Sequence, residues 1–316
     1  MNYCEFREEV KKQLRSIAGE QMRIKIQKIQ KNNGICLDGI SIWKEGENVS
    51  PTIYLDHFYE SFQAGENIKA IAQGIMELYE MYRIEEPIDP DFYRKFSNIC
   101  SYIACKVINY EKNQELLKDI PYIRYLNLAV VFYCSIKNER IGKGTILIHN
   151  SHLKFWDVSA SELAAIAREN MQQQLQYEFA DMMDMIQDYA EDGEEHLSEQ
   201  GERMPMYVLT NQEKHLGAIC IVYDTILNEI GQKLKEDYYI LPSSIHECII
   251  VPKRKEIDPD ELRIMVREIN DNQVHAEEVL SDEIYQYERR YHRLSIVLPD
   301  AENYPFLETE IEIKSK

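Results

Sequence analysis

The spacing of apolar residues predicts a helix followed by a β-hairpin at the start of the chain. Residues 4–19 carry apolar side chains at steps of three and four, which is the period of an amphipathic helix. These side chains are Phe6, Val10, Leu14 and Ile17. Apolar and polar residues then alternate over 22–27 and 35–43, as they do in half-buried strands. Asn32–Gly34 supplies the positive-φ residues that a tight turn needs, so the two strands are expected to pair.

The following stretch predicts mainly helices. Pro51–Leu55 leads into a short helix that is expected to end near Gly65. Two longer helices are expected, from Asn67 to Tyr82 and from Pro90 to Ile108, because apolar residues recur three and four apart in both. In the second of these, the side chains expected to face inward are Phe92, Phe96, Ile99, Ile103 and Val107.

A strand–strand–helix pattern then occurs three times. The expected elements are strands 126–135 and 144–149 with helix 159–173, strands 206–210 and 217–222 with helix 224–235, and strands 238–241 and 247–251 with helix 259–270. The last two copies are contiguous and form a ββαββα module. Adjacent strands followed by a helix on one face predict an α+β fold with a mostly antiparallel sheet.

An acidic segment separates the first copy from the second. Residues 178–202 hold ten Asp and Glu and no Lys or Arg, which is −10 of the net charge of −19. Its first half predicts an amphipathic helix with an apolar stripe, and its second half, which contains Gly193 and Gly201, predicts a solvated linker. The stripe consists of Leu175, Phe179, Met182, Met183 and Ile186. Two interpretations are open: the stripe packs on its own domain, or it engages a basic partner.

These patterns divide the chain into four expected segments. They are an N-terminal α+β region (1–175), an acidic helix and linker (176–203), the ββαββα C-terminal module (204–295) and a tail (296–316). The module is expected to fold largely independently of the N-terminal region.

Composition and charge exclude several classes of protein. The 316 residues are 44% hydrophobic and 29% charged, as in a globular protein, which excludes wholesale disorder, collagen and coiled coils. The sequence has no run of about 18 apolar residues, the length needed to span a bilayer. Acidic residues occur among the first residues, where a signal peptide would need an apolar core. A net charge of −19 counts against direct nucleic-acid binding, which needs a basic footprint.

The cysteines indicate a reducing compartment. There are seven, an odd number, with no Cys-x-x-Cys pair, and Cys134, Cys220 and Cys248 lie in or at apolar strand-like runs. A disulfide framework would have an even number in a much shorter chain. The expected location is the cytoplasm.

Several mixed motifs carry a family resemblance. The strongest are Tyr207–Asn211, Gly217-Ala218, Tyr239–Glu247, Ile250–Pro252 and Met265–Asn270, and the earlier ones are Lys31–Gly34, Ser50–Leu55 and Asn113–Pro121. They resemble a bacterial family catalogued as domain of unknown function 5688, over residues of about 20 to 295. The resemblance implies a cytoplasmic bacterial protein, and it implies no catalytic residue, cofactor or substrate.

The best candidate for chemistry is a short polar run in the C-terminal module. Ser243, Ser244, His246 and Glu247 place a hydroxyl, an imidazole and a carboxylate within five residues, which suggests a hydrolase. Neighbours on an extended segment point to opposite faces, however, and no Gly-x-Ser-x-Gly elbow is present. The alternative is a structural turn in which the serines bond local backbone.

A second candidate is a group of possible metal ligands. His149, His152 and Asp157 could bind a metal from a turn, which Asn150–Lys154 is expected to form. The alternative is two surface histidines beside Trp156. The sequence contains no Walker loop, GxGxxG, EF-hand loop or Cys/His zinc pattern, so no cofactor is expected.

The function expected from these features is the binding of another macromolecule in the cytoplasm, without catalysis. The expected partner is a protein, basic in charge, bound through Glu191, Asp192, Glu194 and Glu195, with no role at a membrane. The 21 tyrosines suit either interfaces or partly exposed packing. The alternatives are a hydrolase that uses Ser243 or Ser244 with His246, and an acidic nucleic-acid mimic.

Overall fold

A computed structural model describes residues 1–19, 21–47, 50–83, 90–138, 142–189, 204–298 and 313–314. The chain divides into two compact units. The first comprises Met1–Ile99 with Ser135–Thr145, and the second comprises Cys100–Cys134 with Ile146–Lys316.

The first unit is a three-stranded antiparallel sheet packed against helices. Its elements are helix α1 (Tyr3–Ala18), strands β1 (Met22–Gln30), β2 (Cys36–Lys44) and β3 (Thr52–Tyr54), and helices α2 (Asp56–Gln63), α3 (Ile68–Tyr82), α4 (Pro90–Arg94) and α5 (Phe96–Ile99). The strand order is β1-β2-β3. The predicted first helix, the hairpin and the helix that ends at Tyr82 are confirmed.

The core of this unit explains why the apolar pattern predicts it well. Phe6, Val10 and Leu14 of α1 are fully buried in one cluster with Ile40 and Ile42 of β2. The other buried members are Ile53, Leu55, Ile71, Ala72, Ile75 and Tyr79. The hairpin turn takes positive φ values of 58° at Asn33 and 71° at Gly34, as the turn chemistry requires.

The second unit contains two antiparallel sheets and most of the remaining helices. Its elements are β4 (Ile103–Asn109), α6 (Gln114–Leu117), β5 (Tyr122–Tyr125), β6 (Leu128–Asn138), β7 (Gly142–Leu147), α7 (Asn150–Trp156), α8 (Ala160–Gln174), β8 (Tyr177–Asp181), α9 (Met182–Tyr189), β9 (Tyr207–Asn211), α10 (Asp224–Leu234), β10 (Tyr238–Leu241), β11 (Cys248–Pro252), α11 (Pro259–Asn272), β12 (Tyr285–Glu288), β13 (Arg293–Ile296) and β14 (Ile313–Lys314). The larger sheet has the order β13-β12-β10-β11-β9-β8, and the smaller has β14-β5-β6-β4 with β7 paired to β6. Residues 135–138 of β6 and 142–145 of β7 belong to the first unit. The α+β class with mostly antiparallel sheets is confirmed.

The larger sheet has helices on both faces. On one face, Tyr239, Leu241 and Val251 form a core with Leu262 and Val266 of α11. On the opposite face, the rings of Tyr238 and Tyr287 stack with centroids 5.1 Å apart. The Tyr238 hydroxyl donates to the Leu227 carbonyl of α10 at 2.8 Å. These tyrosines are therefore core residues with a satisfied hydroxyl and are not interface residues.

The predicted helix from Pro90 to Ile108 is wrong. The chain forms α4, α5 and a 3₁₀ turn at Cys100–Tyr102, and then strand β4, which pairs with β6. Residues four apart lie on one face of a strand as well as of a helix, because four is a multiple of the strand period of two. Ile103, Cys105 and Val107 are buried and alternate with less buried neighbours, which is the pattern of a strand.

The predicted strand at 217–222 is also wrong, since Gly217–Val222 forms a 3₁₀ helix. Strand β9 already pairs with β11 on one side and with β8 on the other, so it offers no edge to a further strand. The second predicted copy is therefore strand–3₁₀–helix, whereas β10, β11 and α11 confirm the third copy.

Two smaller expectations are corrected in the same region. The first half of the expected acidic helix is strand β8, in which Phe179 stacks on Tyr207 with ring centroids 5.0 Å apart. The expected turn at Asn150–Lys154 is the start of helix α7.

The four-segment division stays a prediction, and proteolysis tests it. Residues 190–203 lie outside the described part of the chain, and the interval 178–202 has no Lys or Arg for trypsin. We expect a glutamate-specific protease to cut first within 187–203, because this stretch has no apolar period. Mass spectrometry of early fragments measures the order of cutting. Earlier cleavage inside 206–270 would contradict the division.

Candidate functional site

The polar run Ser243–Glu247 lies in the loop between β10 and β11. This loop bonds through its backbone to the segment Glu278–Glu283, here called the 278–283 segment. The amide of Ile245 donates to the Glu278 carbonyl at 2.9 Å, and the amide of Leu280 donates to the Ser243 carbonyl at 2.9 Å. The loop thus behaves as a short extra strand pair at the end of the larger sheet.

Both ring nitrogens of His246 face protein groups. The amide of Leu216 donates to Nδ1 at 3.1 Å, and Nε2 lies 3.4 Å from Oε1 of Glu278. Because Nδ1 accepts a hydrogen bond, the proton of the neutral ring is on Nε2 and points at the carboxylate. In this arrangement neither nitrogen is positioned to take a proton from a serine.

The two candidate serines serve the backbone of the loop. Ser244 is 5% exposed, and its hydroxyl accepts from the backbone amide of His246 at 3.0 Å. The Ser243 carbonyl accepts from Leu280. A serine oxygen that accepts from the amide two residues ahead forms a local turn, so this geometry favours the structural interpretation of the run.

A close backbone contact fixes the 3₁₀ helix against the same loop. The Thr210 hydroxyl donates to the His246 carbonyl at 2.8 Å. A Cβ at Gly217 would lie 2.2 Å from that hydroxyl and 2.6 Å from the same carbonyl, so only glycine fits. The sequence analysis did not connect Thr210, Gly217 or Glu278 with the polar run, because nothing local in the sequence marks their approach.

The 278–283 segment also binds the smaller sheet and α11 through buried hydrogen bonds. Asn109 donates to the Leu280 carbonyl at 2.9 Å, and Asn270 donates to the Ser281 carbonyl at 3.0 Å. Asn127 donates to the Ser281 hydroxyl at 2.9 Å and accepts from the Tyr285 hydroxyl at 2.6 Å. The polar groups of this region are therefore used in joining three elements of the second unit.

Burial controls the electrostatics of the site. It raises the pKa of Glu247, with the charge of Glu278 acting in the same direction and His246 opposing it. Burial also raises the pKa of the Cys220 thiol to about 12 and that of Cys248 well above its ordinary value. Thiols in this state are poor nucleophiles at neutral pH. No disulfide joins any two of the seven cysteines.

The candidate metal ligands do not converge. His149 precedes α7, and Nδ1 of His152 accepts a hydrogen bond from the backbone amide of His149 at 3.1 Å. Nδ1 of His149 lies 3.3 Å from Asp119, and Asp157 is at the opposite end of α7. Among the described residues, no group of three His, Cys, Asp or Glu side chains is placed to hold a metal ion.

The predicted partner-binding residues Glu191, Asp192, Glu194 and Glu195 lie outside the described residues. The structure describes both ends of the stretch of chain that contains them. The stretch starts at β8, where the Tyr177 hydroxyl donates to Glu229 of α10 at 2.5 Å, and it ends at β9, which pairs with β8. Within the part of the chain described, no helix is long and apolar enough to cross a bilayer.

The local geometry predicts a structural role for Ser244 and His246. Ser244→Ala and His246→Ala should each lower the stability of the fold, and neither should act by removing a hydrolytic activity. Each variant deprives one amide of its acceptor, so the free energy of unfolding should fall by about 0.5–1.5 kcal/mol. Urea unfolding measures this loss. His57→Ala is the control, because the His57 side chain is 89% exposed and little change is expected there. A hydrolytic activity abolished at unchanged stability would show that these residues have a catalytic role.

The raised pKa of Glu247 predicts a dependence of stability on pH. The folded carboxyl binds its proton more tightly than the unfolded one, so it costs stability as pH rises from its unfolded pKa through its folded pKa. We expect Glu247→Gln to gain stability relative to the wild type as the pH rises above about 4, the ordinary pKa of a glutamate, as chemical unfolding measures. Glu256→Gln, on the exposed surface, is the control. A Glu247→Gln difference that is constant with pH would contradict this cause.

Comparisons with known proteins agree with the resemblance found in the sequence. No curated protein and no solved structure matches the chain. A family model described as a family of unknown function (DUF5688) matches residues 3–289. The match covers most of both units, and the chain therefore belongs to this family.

Proposed function

We propose that this protein acts by binding a basic protein partner through its acidic segment, without catalysis. The observation that carries this proposal is that the acidic segment starts on β8 and leads to β9, and these two strands are hydrogen-bonded neighbours in one sheet. Two ends anchored on adjacent strands would present the intervening carboxylates from a fixed place on the second unit.

The charge of the segment supports electrostatic steering. Ten carboxylates with no basic residue over 178–202 create a strong local field. That field repels nucleic acid, so the segment itself would not bind a phosphate backbone. A basic protein surface has the complementary charge.

The burial of the apolar stripe indicates that most of it packs on its own unit and is not available to a partner. Phe179 is half-buried against Tyr207, whereas Met183 is 42% exposed at the start of α9. Leu175 and Met182 are half-buried, and the side chain of Ile186 is not among those described. The stripe would therefore serve mainly to dock the segment on its own unit, with Met183 open to a partner.

The segment favours a protein partner over the alternative of nucleic-acid mimicry. A mimic needs carboxylates spread along one face at phosphate-like spacing, whereas this chain concentrates more than half of its net charge in one segment. The proposed location is the bacterial cytoplasm, which the absence of disulfides among the seven cysteines supports.

The proposal predicts that neutralising the segment slows association and leaves the fold intact. The variant carries Glu191→Gln, Asp192→Asn, Glu194→Gln and Glu195→Gln. Association with a partner captured from the native host should be slower for this variant. For the wild type it should weaken as the Debye length falls from about 10 Å at 0.1 M salt to about 3 Å at 1 M. Surface plasmon resonance measures both effects.

A second variant with the same charge change serves as the control. Glu77→Gln, Glu111→Gln, Glu256→Gln and Glu268→Gln remove four exposed carboxylates elsewhere. This control should associate at the wild-type rate. Binding that is insensitive to salt and to the segment variant would remove this mechanism.

A further inference from the structure

One face of the sheet in the first unit carries an unusual set of side chains. The helices α1 and α3 pack on the face that holds Ile40 and Ile42, so the alternate positions of each strand point the other way. On β1, β2 and β3 these outward positions are Arg23, Lys25, Gln27, Ile29, Leu37, Gly39, Ser41, Trp43, Thr52 and Tyr54. We call this set the outward face.

The outward face combines cations and aromatic rings and has no carboxylate at these positions. The strand register places Arg23 directly opposite Trp43, and Lys25 opposite Ser41. Arg23 and Lys25 are exposed, and Trp43 and Tyr54 are half-buried. In a chain with 55 acids against 36 bases, this local balance is opposite in sign to the whole.

A further cation lies beside the second aromatic ring of the outward face. Nζ of Lys31 lies 4.3 Å from the centroid of the Tyr54 ring, which adds a third cation beside the second ring. Gly39 has no side chain, and a Cβ there would lie 2.6 Å from the Thr52 methyl group. The space above Gly39 is therefore filled by apolar atoms of Thr52 and Ile29, which makes the centre of the face apolar.

A shallow concavity continues the face at the open end of the hairpin. Its lining includes Arg23, Lys25 and Trp43 together with the turn residues Glu45 and Glu47. Glu47 accepts from the Tyr79 hydroxyl at 2.7 Å and pairs with Arg83 at 3.3 Å, so its charge is compensated on the helical side. The concavity thus presents Arg23, Lys25 and the indole of Trp43, together with the exposed carboxylate of Glu45.

We propose that the outward face binds a single-stranded nucleic acid. Proteins that bind single strands without sequence preference combine cations that follow the phosphates with aromatic rings on which bases stack. Arg23 and Lys25 would contact phosphates, and Trp43 would stack on a base. The net charge of −19 counts against a basic footprint over the whole chain, but binding of this kind needs only a local one.

An acidic protein segment is the competing occupant, and the rings disfavour it. Carboxylates would be satisfied by the cations alone, whereas a half-exposed indole directly opposite an arginine offers a stacking surface that an acidic side chain does not use. The proposal is independent of the acidic segment, so the two can fail separately.

The test uses the full chain and fluorescently labelled oligothymidylate and oligouridylate of about twelve nucleotides, at about 50 mM salt. Anisotropy should show saturable binding. Trp43→Ala should weaken it by roughly tenfold. Arg23→Gln with Lys25→Gln should weaken it and reduce the slope of log K against log salt by about one per lost phosphate contact.

The control variant carries Lys28→Gln with Lys69→Gln, which removes the same charge from exposed positions off the outward face. It should bind nearly as the wild type does, and circular dichroism should show every variant folded. Three results would overturn the proposal: no saturable binding, equal loss in the control variant, or competition by oligoglutamate as effective as that by unlabelled oligothymidylate. The last result would identify an acidic protein as the occupant.

Discussion

The second unit depends on the buried hydrogen bonds of one short segment of the chain. The 278–283 segment pairs with the loop before β11, accepts from an asparagine on β4 and is joined to α11 by Asn270. A buried polar group without a partner costs about 1–3 kcal/mol, so each of these contacts constrains its neighbours. The loop, the helix and both sheets therefore take one arrangement together, and the position of His246 follows from it.

The apolar pattern predicts elements well where one face alone is buried. Phe6, Val10 and Leu14 define α1 because the other side of that helix is wet, and Asn33 and Gly34 define the hairpin because few residues tolerate positive φ. The pattern fails where a stretch is buried on all sides, or where the spacing of its apolar residues fits both a strand and a helix. Ile103 and Val107 fit a strand and a helix equally, and nothing in Gly217–Val222 reveals that both edges of β9 are already occupied.

The candidate site shows a different limit of sequence reasoning. Ser243–Glu247 can be noticed because its polar groups are neighbours in the chain. The groups that determine their role come from elsewhere: Leu216 supplies an amide and Glu278 a carboxylate. Contacts of such long sequence separation leave no local signal, so a run that resembles a catalytic motif can be distinguished from a turn only by its partners in space.

The position of β8 has a consequence for self-association. Among the described strands, β8 is the outermost on its side of the larger sheet, so its backbone groups could pair with the same strand of another molecule. Glu178 and Asp181 lie on this strand, and α9 with the rest of the acidic segment follows it. Two copies that approached edge to edge would bring like charges together, which opposes pairing through this edge.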